Sequence, residues 1–384
     1  MNERPRPPAA RHLAVAGGLT AALALLLAAA PALAGTSVSA NGSAYVDEWW
    51  ISGKAAALRA PASVSIEGAI KMGVDVNDDV SFSTKVCFSC HGLELESLAF
   101  EYMPSSAFNV QAGRISVPFG EYHARVDQSG HKTSSAPLIY DMGRAAYFEK
   151  GAMNMGVLPM PYVDSGVLVY GQRFLGPVQA WYGLYGVSGL RGGNDIDFTA
   201  MRSIYYTDSN RTPAVGGRVS FTYAAGTDGL IKDSSVGASL TTGRYDKDSQ
   251  LKYLVWGVDA VVGLGRVTLR GEYAYRRTDL SPGASYAYEV IDPWVRKDGW
   301  YVEAEAPLVE RLAGVVRLDE LRRTGVTLPG ASAGMTQDSR INRTTAGLVY
   351  TPASSLYVKL GYEYWAPTDF PSFHSAHLGL GGAF

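Results

Sequence analysis

The sequence has 384 residues, of which 47% are hydrophobic and 18% are charged, with a formal net charge of -2 and two cysteines. This near-neutral balance implies no strongly basic or acidic partner, and we find no nucleic-acid-binding signature. After the first 34 residues no apolar segment approaches the roughly 18 residues of a spanning helix, so the remaining chain is predicted to be a soluble protein or a β-barrel.

The N-terminal residues have the pattern of a secretory signal peptide. A basic leader precedes an apolar run from about residue 13 to 30, and Ala32-Leu33-Ala34 offers the small-x-small site that signal peptidase cleaves. The run is short and rich in alanine, which favours cleavage over retention as a membrane anchor. We therefore predict that residues 1–34 are a signal peptide and that 35–384 form the exported protein.

From residue 35 onward, short segments of alternating apolar and polar residues are separated by turn residues. Within 266–276, for example, Val267 and Leu269 share one face while Arg270 and Glu272 share the other. Segments of about ten residues suit tilted strands that cross a bilayer. The predicted strands lie near 41–56, 62–75, 80–87, 93–103, 108–118, 162–174, 177–190, 213–224, 233–244, 252–264, 266–278, 299–307, 312–323, 341–351, 354–366 and 372–384.

These segments predict an all-β fold, a transmembrane antiparallel β-barrel of about 16 strands. Tight connections alternate with long ones at about 119–161, 191–212, 279–298 and 324–340, as expected when short turns face the periplasm and long loops face outside. The chain ends on Phe384 of an alternating strand, which looks like the insertion signal of outer-membrane barrels. We therefore expect the protein in the bacterial outer membrane, in contact with its lipid.

One part of the sequence resembles a known porin family. The segments Ala99–Pro104, Phe108–Arg114 and Val117–Gly120 look like the two-strand unit of the phosphate-selective porin O and P family. In that family the loop after the Pro-Phe-Gly element folds into the lumen, so the resemblance implies an inward loop at about 119–161. The likeness covers about 30 residues, and the lysine runs of the family are not obvious here, so phosphate selectivity is not carried over.

Both cysteines lie in the string Cys87-Phe88-Ser89-Cys90-His91, the attachment motif of a c-type haem. In such a motif the thiols of Cys87 and Cys90 bond the porphyrin covalently and His91 is the proximal iron ligand. The alternatives are a disulfide between the two cysteines, a zinc site, for which further ligands are missing nearby, or an accidental match. By strand parity Cys87 is predicted to face the lumen near the outer end of its strand.

A second iron ligand is sought in the predicted inward loop. Met103 is excluded because it lies roughly 30 Å away along its strand. His131 is the first choice, because His-His ligation suits electron transfer, and its alternative is a solvated loop histidine. The other loop candidates are His123, Met142, Met153 and Met155, while His374 and His377 are predicted to be barrel-wall residues.

Basic side chains are also predicted inside the barrel. The alternation along the strands places four basic residues on the inward face, namely Arg218, Arg266, Arg270 and Lys359. They could pair with haem propionates or with a permeating anion. The alternative is that lumenal carboxylates balance these groups across the barrel.

These features support two main functional hypotheses. The first is an electron-transfer porin with one covalent haem c, similar in architecture to the porin-cytochrome fusions of iron-oxidising bacteria, with a periplasmic cytochrome and an extracellular electron donor or acceptor as partners. The second is a diffusion porin for small anions in which the cysteine pair or the haem is structural. A third is haem-based sensing or peroxide chemistry. No enzyme motif for an organic substrate is found, and association as a homotrimer stays open.

Overall fold

The structure is a computed structural model. It describes residues 36–52, 64–89, 92–140, 147–148, 151–152, 156–190, 212–224, 229–246, 248–281, 283–284, 288–290, 292–325, 327–329, 339–368 and 371–384. The predicted signal peptide at 1–34 lies outside these residues. Among the residues described, no helix is long and apolar enough to cross a membrane.

Sixteen antiparallel strands form one closed barrel in which each strand pairs with its neighbours in sequence. They are β1 (Ser37–Ser52), β2 (Val64–Asn77), β3 (Val80–Ser89), β4 (Gly92–Ser105), β5 (Phe108–Ser116), β6 (Val163–Leu175), β7 (Val178–Val187), β8 (Ala214–Tyr223), β9 (Ser234–Arg244), β10 (Lys252–Leu264), β11 (Val267–Asp279), β12 (Trp294–Val309), β13 (Leu312–Thr324), β14 (Ser339–Ala353), β15 (Leu356–Pro367) and β16 (Phe373–Ala383). The predicted fold class and strand number are therefore confirmed.

The two faces of the wall have opposite chemistry. On β13, Val316 and Leu318 point outward and are 52% and 47% exposed, whereas Arg317 and Asp319 point inward and are almost fully buried. Apolar outside and polar inside is the reverse of a water-soluble protein, and it is the pattern of a barrel wall that faces lipid. Strand parity thus places charged side chains in the lumen.

Closure depends on the first and last strands. β1 pairs with β16 from Ser43 opposite Ala383 to Ser52 opposite His374. At the end of this seam, the N–H of Gly42 donates to the carbonyl of Phe384 at 3.0 Å, and the N–H of Phe384 donates back to Gly42 at 2.9 Å. An even strand number brings both chain ends to the rim that carries the tight turns.

The long connections lie at the opposite rim, and two of them pair with each other. Gly283–Ala284 and Tyr288–Val290, between β11 and β12, form a three-stranded sheet with Thr327–Pro329, which follows β13. The predicted start of the twelfth strand at 299 is wrong, because β12 begins at Trp294. The charged run Arg296-Lys297-Asp298 has the composition of a loop. In the structure it is part of β12, where it pairs with both β11 and β13.

Substitution at the seam tests the closure. A Cβ added at Gly42 would lie 2.7 Å from Cζ of Phe384 and 2.8 Å from the carbonyl oxygen of Ala69, whereas one added at Gly186 would meet nothing within 4 Å. We expect Gly42→Ala to lower the free energy of unfolding by about 1–3 kcal/mol, and Gly186→Ala to leave it near wild type. The temperature at which the compact band of unboiled samples is lost on a denaturing gel measures both. Equal temperatures for the two variants would contradict the seam geometry.

Candidate functional site inside the barrel

The described part of the connection between β5 and β6 lies inside the barrel. We name residues 117–162 the inner loop, of which the structure describes 117–140, 147–148, 151–152 and 156–162. Asp127 Oδ1 lies 2.6 Å from Nζ of Lys85 on β3, and the Tyr140 hydroxyl donates to Glu272 on β11. β3 and β11 are eight strands apart in a ring of sixteen, so they lie on opposite sides of the barrel. The described part of the inner loop therefore crosses the lumen from one wall to the other.

The inner loop has an apolar centre of its own. Tyr122 and Tyr140 stack with ring centroids 5.5 Å apart, and Leu138 and Ile139 pack in the same cluster with no exposed surface. Phe119, from the Pro-Phe-Gly element, belongs to this cluster and is 1% exposed. Burial of such side chains contributes roughly 1.5–3 kcal/mol each. The described part of the loop is therefore a packed element of the lumen.

A lattice of buried charges anchors the inner loop to the wall. Arg317 of β13 lies 3.5 Å from Glu303 and 3.0 Å from Asp319, and Arg343 of β14 lies 3.3 Å from Asp319 and 3.8 Å from Glu363. The five side chains that form these pairs have no exposed surface. We name these residues the arginine lattice.

The arginine lattice also binds the loop backbone. Arg317 donates to the hydroxyls of Thr133 and Ser135, both at 2.8 Å, and Arg343 donates to the carbonyl of Ala136. In the other direction, the backbone N–H of Leu138 in the loop donates to Asp319 at 3.0 Å. Burying ions is costly unless further hydrogen bonds satisfy them, and these bonds supply that compensation.

The predicted lumenal cations have carboxylate or loop partners. Arg218 makes two bonds to Asp259, at 2.5 and 2.9 Å, and Arg270 lies 2.9 Å from Glu305. Lys359 donates to carbonyl oxygens of the inner loop. Carboxylates therefore balance the two arginines, as the alternative predicted, but they lie on nearby strands of the same wall and not across the barrel. The lumenal position predicted for Arg266 is wrong, because it is exposed in the tight turn before β11.

Cys87 lies on the lumenal face of β3, as its parity predicted, near the rim that carries the long connections. Its thiol donates to Glu96 of β4, whose other carboxylate oxygen lies 2.9 Å from Lys85. The outward neighbour Phe88 is 50% exposed on the lipid side. Cys87 is thus the part of the C-x-x-C-H string that lies within the described residues, and Cys90 and His91 lie outside them.

His131 lies in the inner loop and is 4% exposed. Its ring centroid is 5.5 Å from that of Tyr122, and its Nδ1 is buried without a hydrogen-bond partner. The alternative of a solvated loop histidine is wrong, because the side chain is buried. Its role as an iron ligand stays a prediction, and no cluster of three or more potential metal ligands occurs within the described part of the chain.

Burial sets the protonation of two loop histidines. Burial, and next the positive charges of Lys359, Arg125 and Arg317, hold the pKa of His131 well below its usual value. Burial lowers the pKa of His123 to about 4, although a contact of 2.9 Å to the carbonyl of Tyr162 partly opposes it. Both rings are therefore neutral at pH 7.

The remaining candidate ligands are distributed differently. His377 is a wall residue, as predicted, and lies 3.3 Å from Glu363 against the ring of Trp49. His374 lies on the outer face of β16, where it contacts the hydroxyl of Tyr362 at 2.6 Å. The loop methionines Met142, Met153 and Met155 lie outside the described residues.

The arginine lattice is a functional feature that the sequence pattern did not single out. Arg317, Asp319, Arg343 and Glu363 occupy inward positions at the centres of their strands. The sequence does contain a signal for such residues: Arg317 lies between Val316 and Leu318, two apolar residues that face outward. Strand parity identifies the lumenal face, but it does not identify the partners on neighbouring strands and in the inner loop.

Comparisons with known proteins support the fold. No protein-family model matches the sequence, and none of the curated proteins compared with it does. OmpF of Salmonella typhi, solved with daunomycin, is 14% identical over 91% of this chain and 98% of its own, with a TM-score of 0.59. An anion-selective porin from Comamonas acidovorans is 13% identical over 91% and 100%, with a TM-score of 0.53. The trimer form of OmpT from Vibrio cholerae is 10% identical over 91% and 100%, with a TM-score of 0.52.

Acid should weaken the packing of the inner loop. Above pH 6.5 both histidines are neutral whether folded or unfolded. As the pH falls below 6.5 the unfolded chain takes up protons that the folded chain does not, so the free energy of unfolding falls by up to about 1.4 kcal/mol per pH unit for each histidine, down to about pH 4 for His123. The double variant His123→Gln/His131→Gln should lose this part of the slope, and His374→Gln should keep it. Thermal melts between pH 7.5 and 4.5 measure it, and identical slopes in all three proteins would contradict the assignment.

At 91% coverage of this chain, the solved porins thus share its architecture, a closed 16-stranded barrel of the outer-membrane type.

Proposed function

We propose that the protein is an outer-membrane channel with a narrow lumen, through which small hydrophilic solutes diffuse around the inner loop. The observation that carries this proposal is the closed barrel with an apolar exterior and a charged interior crossed by a fixed loop. In this arrangement the long connections face outside the cell and the tight turns face the periplasm. We include homotrimeric assembly, by analogy with the OmpT of Vibrio cholerae, which has a trimer form.

The paired charges that line the lumen predict weak charge selectivity. Several of the described arginines that face it are engaged by carboxylates, as in the pairs Arg218–Asp259 and Arg270–Glu305. A strongly anion-selective pore needs positive charges that carboxylates do not neutralise. We therefore place small uncharged solutes and ions of either sign among the permeants, rather than anions alone.

The arginine lattice should control conductance. Arg317→Met removes the two hydroxyl bonds to the inner loop and leaves Glu303 and Asp319 buried with one partner fewer. The loop should detach in part, so single-channel conductance in planar bilayers should rise at least twofold, while Arg266→Met, at an exposed turn, should match wild type. Ser135→Ala, which removes one loop hydroxyl, serves as a milder variant if Arg317→Met does not insert. Wild-type protein that inserts without ion-conducting steps would overturn the channel proposal.

A second candidate function is electron transfer by a covalent haem c. The observation that favours it is the C-x-x-C-H string whose first thiol faces the lumen near the outer rim. Cys87 and Cys90 would form thioethers by addition of their S–H groups to the two porphyrin vinyl groups, and His91 would bind the iron. The haem would supply one-electron exchange, with a periplasmic cytochrome and an extracellular donor or acceptor as partners.

His131 is the proposed second iron ligand in this case. Its buried Nδ1 has no hydrogen-bond partner, which leaves one ring nitrogen unused. The ring is enclosed by Tyr122 and by the cationic groups of the inner loop and wall, so ligation requires the loop to move.

Haem staining decides this second candidate. Protein made in cells that mature c-type cytochromes should retain haem on a denaturing gel, and Cys87→Ala/Cys90→Ala should lose it. His131→Ala should keep the stained band and shift the absorption spectrum if His131 binds iron. A colourless wild-type protein, folded by gel mobility, would exclude electron transfer and leave the channel proposal standing.

A further inference from the structure

Four arginines lie on the outer face of the barrel, close to the rim that carries the long connections. Arg277 of β11, Arg296 of β12, Arg322 of β13 and Arg340 of β14 occupy outward positions on four consecutive strands. The side chains of the last three are 40%, 39% and 52% exposed. We name these four residues the outer arginine row.

The outer arginine row begins where the apolar belt ends. On β13 the outward residues Val316 and Leu318 are apolar, and the next two outward residues are Glu320 and Arg322. From the start of β13 at Leu312 to Glu320 the strand rises roughly 26 Å, and less along the membrane normal because barrel strands are tilted. The row therefore lies at the level of lipid headgroups in the leaflet on the long-loop side.

The register places like charges directly opposite each other. Arg277 pairs with Arg296 across β11 and β12, and Arg322 pairs with Arg340 across β13 and β14. Like charges at facing positions destabilise a sheet unless something compensates them. Two such pairs occur side by side, so anionic groups close to the guanidinium groups stabilise this part of the sheet.

Two carboxylates orient the row but do not neutralise it. Asp298, with a side chain 3% exposed, lies 2.6 Å from Nη2 of Arg322 and 3.2 Å from Nε of Arg296. Glu320 lies 3.4 Å from Nε of Arg322 and 3.9 Å from Nε of Arg340. These two carboxylates contact three of the four arginines, and the guanidinium of Arg277 lies 5.9 Å from the centroid of the Trp294 ring. The side chains of Arg296, Arg322 and Arg340 nevertheless stay 40%, 39% and 52% exposed, so they can bind a further anion.

An apolar groove lies on the same strands, closer to the periplasmic rim. Its volume is about 660 Å³, and its outward lining includes Ala304, Gly314, Val316, Ala346 and Leu360. From Arg322 to Val316 the distance along β13 is roughly 20 Å. Small residues recess the wall here between the larger Leu308, Leu348 and Tyr362.

We propose that this face binds a phosphate-bearing lipid of the outer leaflet. The outer arginine row holds the phosphates by charge-assisted, partly bidentate hydrogen bonds, and the groove receives acyl chains. Charge complementarity favours a phosphate-bearing lipid here, whereas a two-fold contact between barrels through this face would bring two identical rows together and be repulsive. The proposal rests on placement in the outer membrane and does not depend on conduction or on haem.

Native mass spectrometry of the full detergent-purified protein tests the proposal. The probes are phosphorylated lipid A, the same lipid A after chemical dephosphorylation, and inorganic phosphate, all with EDTA to remove bridging cations. We expect wild type to retain phosphorylated lipid A at least tenfold better than the dephosphorylated form, and Arg322→Gln/Arg340→Gln to lose that preference. Arg173→Gln, an exposed arginine near the periplasmic rim of β6, should behave as wild type.

A variant that is expected to increase lipid retention distinguishes a specific loss of binding from misfolding. Glu320→Gln removes a carboxylate that competes for Arg322 and Arg340, so it should strengthen retention of phosphorylated lipid A. Unchanged retention in both Arg322→Gln/Arg340→Gln and Glu320→Gln would overturn the proposal. Equal competition by inorganic phosphate at the same concentration would overturn it as well, because the row would then bind free anions without using the groove.

Discussion

The inner loop is held across the lumen by arginine side chains that have no exposed surface. A buried ion pair whose partner is removed costs about 3–5 kcal/mol, against at most about 1 kcal/mol for a surface pair, so the arginine lattice outweighs any exposed pair of the barrel. Arg317 bonds two loop hydroxyls as well as two wall carboxylates. The arginine lattice is thus the most deeply buried part of the contacts that hold the loop, to which Lys85, Glu272 and Lys359 of the wall also contribute.

The lattice is available because the barrel inverts the usual distribution of side chains. Lipid on the outside favours apolar outward positions, so charges in the middle of a strand are directed inward. Such charges need partners, which here are opposite charges on adjacent strands and the hydroxyl, carbonyl and N–H groups of the inner loop. The same inversion makes the outward arginines of β11 to β14 exceptional, and they lie beyond the apolar belt.

The sequence predicted the architecture closely because the signals of a membrane barrel are local. Alternation over about ten residues, turn residues and connection length identified all sixteen strands. The start of β12 was wrong, because the charged run Arg296-Lys297-Asp298 has the composition of a loop, and only its partners on β11 and β13 show that it is strand. Likewise Arg266 fits the strand period but occupies the turn that precedes β11.

The site was predicted only in outline, because its contacts join residues far apart in the chain. The resemblance to a porin family implied that the loop turns inward, and parity placed Cys87 and Lys359 in the lumen. Nothing local connects Ser135 with Arg317, which are 182 residues apart. The burial of His131 follows from that long-range packing, and the sequence alone left a solvated loop histidine open as the alternative.

Hydrogen exchange of backbone amides in the folded, detergent-solubilised protein tests the central claim most directly. If the arginine lattice fixes the inner loop, peptides that cover residues 119–140 should exchange as slowly as those from the centres of β13 and β14. Exchange of the loop amides within seconds at neutral pH, while the strands stay protected, would show that the loop is not held and would contradict this account.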